Sequence, residues 1–143
     1  MLVISREVIN TRLKRLEKAL QILQQSSNLA FEELAANDLL LSAVERNFQV
    51  AIECIFDIGT HIIAEKGFES PDDNADIIRI LGDEGVVTPD FAERAKGLAG
   101  FRNILVHEYT GIDYGLLHQY LQNRLDDFRE FAEYTSSYLG KEA

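Results

Sequence analysis

The sequence predicts an all-α fold, a single-domain bundle of four to five helices spanning residues 1–143. Three observations predict it. Apolar residues recur at spacings of three and four along most of the chain, no segment alternates with the period of two that a half-buried strand needs, and capping residues precede the periodic runs. Short polar links join the runs, which suits helices packed as neighbours around one core.

The first helix carries Ile9, Leu13, Leu16, Leu20 and Leu23 along one face, with Ser5 as a candidate cap and an end near Ser26-Ser27-Asn28. A short helical turn is expected over Phe31 to Ala36. A long helix follows, starting at Asn37 or Asp38 and stopping at Gly67. Leu41, Val44, Phe48, Ile52, Ile55, Phe56, Ile62 and Ile63 make it apolar over much of its circumference, the pattern of a central helix. One polar stripe, Arg46, Gln49, Glu53, Asp57 and His61, runs along it, and such a stripe must meet a cleft, a partner or paired side chains.

Two helix starts share one chemistry. Ser70-Pro71-Asp72-Asp73 and Thr88-Pro89-Asp90 each offer a cap, a proline for the first turn, and acid at the positive end of the helix dipole. The first of these helices should end by Gly82, and the second should run from Pro89 to Thr110-Gly111. Asp113 can cap the last helix, with Leu117, Leu121, Leu125, Phe128, Ala132 and Tyr138 on one side.

The balance of charge narrows function. A net charge of −10 argues against a broad electrostatic grip on nucleic acid. The charge is uneven: residues 68–87 sum to −5, residues 1–36 to +1, and residues 88–112 to zero. A small phosphate-binding site is therefore compatible with the chain, whereas wrapping of a long duplex is not. No apolar run approaches the roughly 18 residues that cross a bilayer, and the N-terminus lacks the order of a signal peptide. Cys54 lies among apolar neighbours and has no second cysteine to pair with. The expected location is the cytoplasm.

The stretch FRNILVHEY, residues 101–109, departs from the surrounding pattern. At about 100° per residue, Leu98, Phe101 and Leu105 form a core face, while Arg102, Asn103, His107 and Tyr109 form a polar edge. A guanidinium holds phosphate oxygens through two parallel N–H bonds. An imidazole gives or takes a proton near neutral pH. Together they suffice for metal-free RNA cleavage: a base for the 2′-hydroxyl, an acid for the leaving oxygen, and a cation for the charged transition state. Two copies related by a two-fold axis would supply two histidines to one cleft. The plainer alternative stands beside this one, since a histidine on a leucine-rich helix is more often a hydrogen-bonded structural residue, and the Arg46–Glu53–Asp57 stripe more often an ion-pair network.

These residues carry a resemblance. Arg102-Asn103-x-x-x-His107-x-Tyr109 resembles the R-x4-H-x-Y motif of HepT-like toxins in the HEPN superfamily, and the segment from Glu45 to Ile63 resembles that family's second hallmark. The helix order agrees as well, so the resemblance covers nearly the whole chain. It implies a helical bundle that forms a homodimer with the motif at a cleft on the dimer axis. It implies a metal-independent endoribonuclease with no cofactor, the toxin of a two-gene toxin–antitoxin module. The implied partner is an MntA-like nucleotidyltransferase that neutralises the toxin by transferring AMP to the motif tyrosine. Carried over by position, Arg102 and His107 would be catalytic, Asn103 supporting, and Tyr109 the modified residue. Apart from the resemblance, the residues themselves make Arg46, Glu53 and Asp57 candidates to orient the neighbouring site from the long helix.

Two other classes remain in view. One is a non-catalytic bundle that serves as partner of a nucleotidyltransferase, which the acidic charge favours. The other is a metal enzyme using His61 and Glu65, four apart on a helix, but no second such pair accompanies them. Asp72-Asp73-Asn74-Asp76 lacks the glycine of a calcium loop, and no glycine-rich phosphate loop is present.

Overall fold

The computed structural model describes residues 6–106 and 112–141, and among them there are helices and no strands. The helices are α1 (Arg6–Gln25), α2 (Phe31–Ala35), α3 (Asp38–Lys66), α4 (Asn74–Asp83), α5 (Pro89–Ala95), α6 (Leu98–Val106), α7 (Tyr114–Asn123) and α8 (Leu125–Lys141). None of them is long and apolar enough to cross a membrane.

α3 is the axis of the bundle. Its twelve buried residues point in nearly every direction, so α1, α2, α4, α6 and α8 all pack on it. Asn37 starts it, with its side chain accepting the Leu40 N–H at 3.0 Å. Gly67 ends it in the left-handed region at φ 69°, and the Phe68 N–H returns to the Ile63 carbonyl at 3.1 Å. Gly59 permits the close approach of α4: a Cβ there would lie 2.5 Å from the Ile77 side chain. α1 lies along α3 through Ile9, Leu16, Ala19, Leu20 and Leu23.

The expected helix starts at Thr88 and Asp113 are present. Each side chain accepts the backbone N–H three residues on, from Phe91 at 3.1 Å and from Leu116 at 3.0 Å. α4 differs in detail. Asp73 caps it through the Asp76 N–H at 2.9 Å, so Pro71 precedes the helix instead of opening it.

Two of the long helices read from the sequence are interrupted. The helix from Pro89 stops at Ala95, and a new one begins at Leu98 after a turn at Lys96-Gly97. The last helix breaks at Arg124. The predicted bundle of four to five helices is therefore built from eight helical segments among the described residues, counting α2, the short turn expected over residues 31–36.

Candidate functional site

α6 positions the first half of the motif. Leu98, Phe101 and Leu105 are buried, which fixes the rotation of the helix. Phe101 meets Phe48 of α3 edge-to-face at 5.3 Å between ring centroids, and stacks on Tyr120 of α7 at 3.9 Å with the planes 18° apart. Phe128 of α8 completes the aromatic cluster, 6.0 Å from Phe48. With this face anchored, Asn103 turns outward and is exposed, while Arg102 flanks the buried face and is half-buried. His107 and Tyr109, the other two polar residues of the motif, lie outside the described residues.

Among the described residues no carboxylate lies within ion-pairing distance of Arg102, and no hydrogen bond is made by its guanidinium. Arg6 and Arg46 likewise meet no carboxylate among the described residues, bonding instead to the Leu139 carbonyl and the Gln49 side chain. Arg79, by contrast, faces Glu69, Asp76 and Asp83 at 3.2, 3.3 and 3.0 Å. A half-buried arginine that meets no anion among the described residues is suited to bind one, because its charge is partly desolvated and its guanidinium carries five donors.

The polar stripe on α3 divides. The Phe48–Phe101 contact brings the turn of α3 that carries Arg46 and Gln49 alongside the turn of α6 that carries Arg102. Arg46 donates to the Gln49 side-chain oxygen at 3.5 Å, a weak bond, and among the described residues it too has no carboxylate partner. Asp57 lies about 16 Å further along the helix axis and accepts from Arg12 of α1 at 3.2 Å. Glu53 is half-buried between these two ends. Glu53 and Asp57 both act on the neighbouring Cys54 thiol, which burial pushes up and which Arg15 and Arg12 pull down. The stripe is thus no continuous ion-pair network. Its exposed Arg46 lies two residues from Phe48, which meets α6, and its Asp57 end belongs to the α1 contact.

A groove of about 730 Å³ opens between α1 and α8, lined by Leu13, Leu20, Gln24, Arg129 and Ala132. It does not involve α6, and its polar lining also includes Glu17, Glu133 and Ser136. Among the described residues no three His, Cys, Asp or Glu side chains converge as metal ligands do.

One cluster of charged residues escaped the sequence reading. Asp127, its side chain only 10% exposed, accepts from Arg94 at 2.9 Å and from Arg124 at 2.7 Å. Arg94 also reaches Glu130 at 2.7 Å. The spacing of Arg124 and Asp127 on the last helix was visible, but nothing local connects either residue to Arg94.

Several known proteins resemble this chain. The family described as ribonuclease HepT-like matches residues 13–135. The tRNA nuclease HepT of Aphanizomenon flos-aquae is 26% identical over 132 residues, covering 92% of this chain and 90% of that protein. YutE of Bacillus subtilis, described as a putative RNase, is 33% identical over 100 residues, 70% of this chain and 69% of that protein. The solved structure of YutE, described as a cytosolic protein of unknown function, superposes with a TM-score of 0.86 at 28% identity, over 99% of this chain and 95% of that one. A tri-AMPylated HEPN toxin of Shewanella oneidensis, in complex with an MNT antitoxin, superposes with a TM-score of 0.83, over 92% of this chain and 98% of that one. At 22% identity that last likeness is one of fold.

Proposed function

The chain belongs to the HepT-like ribonuclease family, and from that premise we propose that it is the toxin of a two-gene toxin–antitoxin module, a metal-independent endoribonuclease acting as a homodimer. The observation that carries the reading is Arg102: a half-buried guanidinium, free of carboxylates among the described residues, at the start of an R-x4-H-x-Y sequence.

The chemistry needs two proton transfers and one charge clamp. In the proposed mechanism His107 removes the proton of a 2′-hydroxyl, and that oxygen attacks the adjacent phosphorus. The bond from phosphorus to the 5′-oxygen breaks, and the 5′-oxygen takes a proton from the matching imidazole of the second protomer. The products are a 2′,3′-cyclic phosphate and a free 5′-hydroxyl. Arg102 donates to the non-bridging phosphate oxygens as negative charge accumulates on them. Asn103 supports the phosphate or its neighbouring sugar. No cofactor takes part.

Regulation follows from the same edge of the helix. Transfer of AMP to the Tyr109 hydroxyl by an MntA-like nucleotidyltransferase, with pyrophosphate released, puts a phosphodiester and a nucleoside two residues from His107. The added negative charge competes with an RNA phosphate for Arg102, and the bulk occludes the cleft. The AMPylated state of the structurally similar Shewanella toxin supports this reading. The cytoplasm, where such a transferase finds ATP, is the fitting location.

A second reading keeps the fold without the nuclease: a helical partner of the transferase. The net charge of −10 favours it, because a general RNA-degrading surface should be basic. A cleavage assay in EDTA separates the two. Wild type should cut total cellular RNA to leave 2′,3′-cyclic phosphate ends, and His107→Ala should be slower by about 10²–10⁴-fold. No cutting by wild type whose intact mass lacks added AMP would leave the partner reading.

A further inference from the structure

The turn at Lys96-Gly97 is made by a residue about thirty positions away. In a continuous helix the Arg94 carbonyl would accept the N–H of Leu98. Here it accepts from Arg124 Nη2 at 2.6 Å, and α5 ends at Ala95. A new hydrogen-bond ladder then starts with the Phe101 N–H on the Gly97 carbonyl at 3.1 Å. The same guanidinium donates through Nε to Asp127 Oδ2 at 2.7 Å, and the other Asp127 oxygen takes Arg94 Nη1 at 2.9 Å. Both oxygens of a carboxylate nine-tenths buried are thereby satisfied by arginines, which is what such burial requires. Arg124 also lies over the Tyr120 ring, 5.3 Å from its centroid, and Tyr120 stacks on Phe101. The contacts from Arg124 through Tyr120 lead to Phe101, the residue that precedes Arg102.

We propose that Arg124, held in place by Asp127, is a positioning residue for Arg102: it caps the end of α5, starts α6 on a new axis, and braces the Tyr120–Phe101 stack that fixes the rotation of the motif helix. Without the cap, the Arg94 carbonyl is open to the Leu98 N–H, α5 can run on into α6, and the polar edge turns relative to α3. The inference rests on the reading of Arg102 as the phosphate-binding cation, but its structural half can be tested apart from catalysis.

The experiment uses the full chain and two readouts. Arg124→Lys keeps a charge near Asp127 but cannot reach both Asp127 and the Arg94 carbonyl with a fork of donors. Asp127→Asn keeps the shape and removes the anion. Amide exchange in residues 98–106 should quicken by about tenfold or more in each variant, with residues 6–25 and 38–66 unchanged, because the loss is local. On RNA, kcat should fall by about 10–100-fold with KM moved less than about twofold, since a misplaced group costs the transition state more than the bound ground state. Arg79→Ala, which removes an equally well-paired arginine from α4, should leave both readouts at wild-type values. Wild-type exchange in 98–106, or faster exchange everywhere, would overturn the positioning role. A silent wild-type nuclease would sink the ribonuclease reading while the exchange result still decided whether Arg124 sets α6.

Discussion

Two arginine environments lie within one stretch of chain. Arg94, in the last turn of α5, faces Asp90, Asp127 and Glu130 at 3.5, 2.9 and 2.7 Å. Its affinity for the proton is raised, chiefly by the Glu130 hydrogen bond. Arg102, eight residues on, meets no carboxylate among the described residues. The side chains are chemically identical, and their settings differ in what they leave free. A guanidinium whose donors are taken by carboxylates holds helices together but cannot take a phosphate without breaking those bonds. One with open donors contributes little to the fold and is available to a ligand. Among the described residues the second setting includes the arginine of the motif.

The contrast is sharpened most by Arg102→Ala. Cleavage should drop by about 10²–10³-fold, the usual effect of removing a transition-state donor, while the thermal midpoint stays near wild type. Full activity in that variant, measured as initial rate on the same RNA, would dissolve the distinction between the two arginines.

Phe101→Ala tests the buried face of the same turn. It removes a ring 2% exposed that packs on both Phe48 and Tyr120. A stability loss of about 3–5 kcal/mol is expected in urea unfolding. A loss well under 1 kcal/mol would mean that α6 is not anchored as described.

Asp57→Ala separates a site role from an ion-pair role on α3. Its bond to Arg12 is between partly exposed groups, 33% and 56% accessible, so about 0–1 kcal/mol of stability should be lost. If Asp57 serves only the α1 contact, RNA cleavage is unchanged. A tenfold fall in kcat would place it in the support of the motif instead.

The smallest effect concerns acid. Asp76 is held below its ordinary value of 3.8, first by the backbone N–H of Asp72 and then by Arg79. A carboxyl with a depressed folded value contributes stability that is present above 3.8 and is lost as pH falls through the lower folded value. Asp76→Asn should therefore lower the thermal midpoint slightly at neutrality and converge with wild type below that pH, which flattens the acid limb of the stability curve. An unchanged acid limb would show the cap to be worth the same with either charge.

Helix existence was legible along the chain because its signals are local. Asn37, Thr88 and Asp113 were identifiable as caps and act as caps, each through one N–H three residues on. The apolar wheel of residues 41–63 marked the central helix, and burial on nearly all sides agrees. The motif was legible from spacing, as far as Arg102 and Asn103 on α6. The divided fate of the polar stripe was not, because Arg12, which draws off Asp57, sits on another helix.

The residues themselves therefore determined the helices, their caps, the core faces and the candidate site, since each depends on neighbours within about four positions along one helix. Tertiary structure decided where those helices stop and turn. Arg124 takes the Arg94 carbonyl across thirty residues, Asp127 holds both arginines, and α6 departs from α5 in consequence. A hydrogen-bond acceptor at a helix end can be satisfied by any donor that folding brings to it, and only the folded chain selects which one.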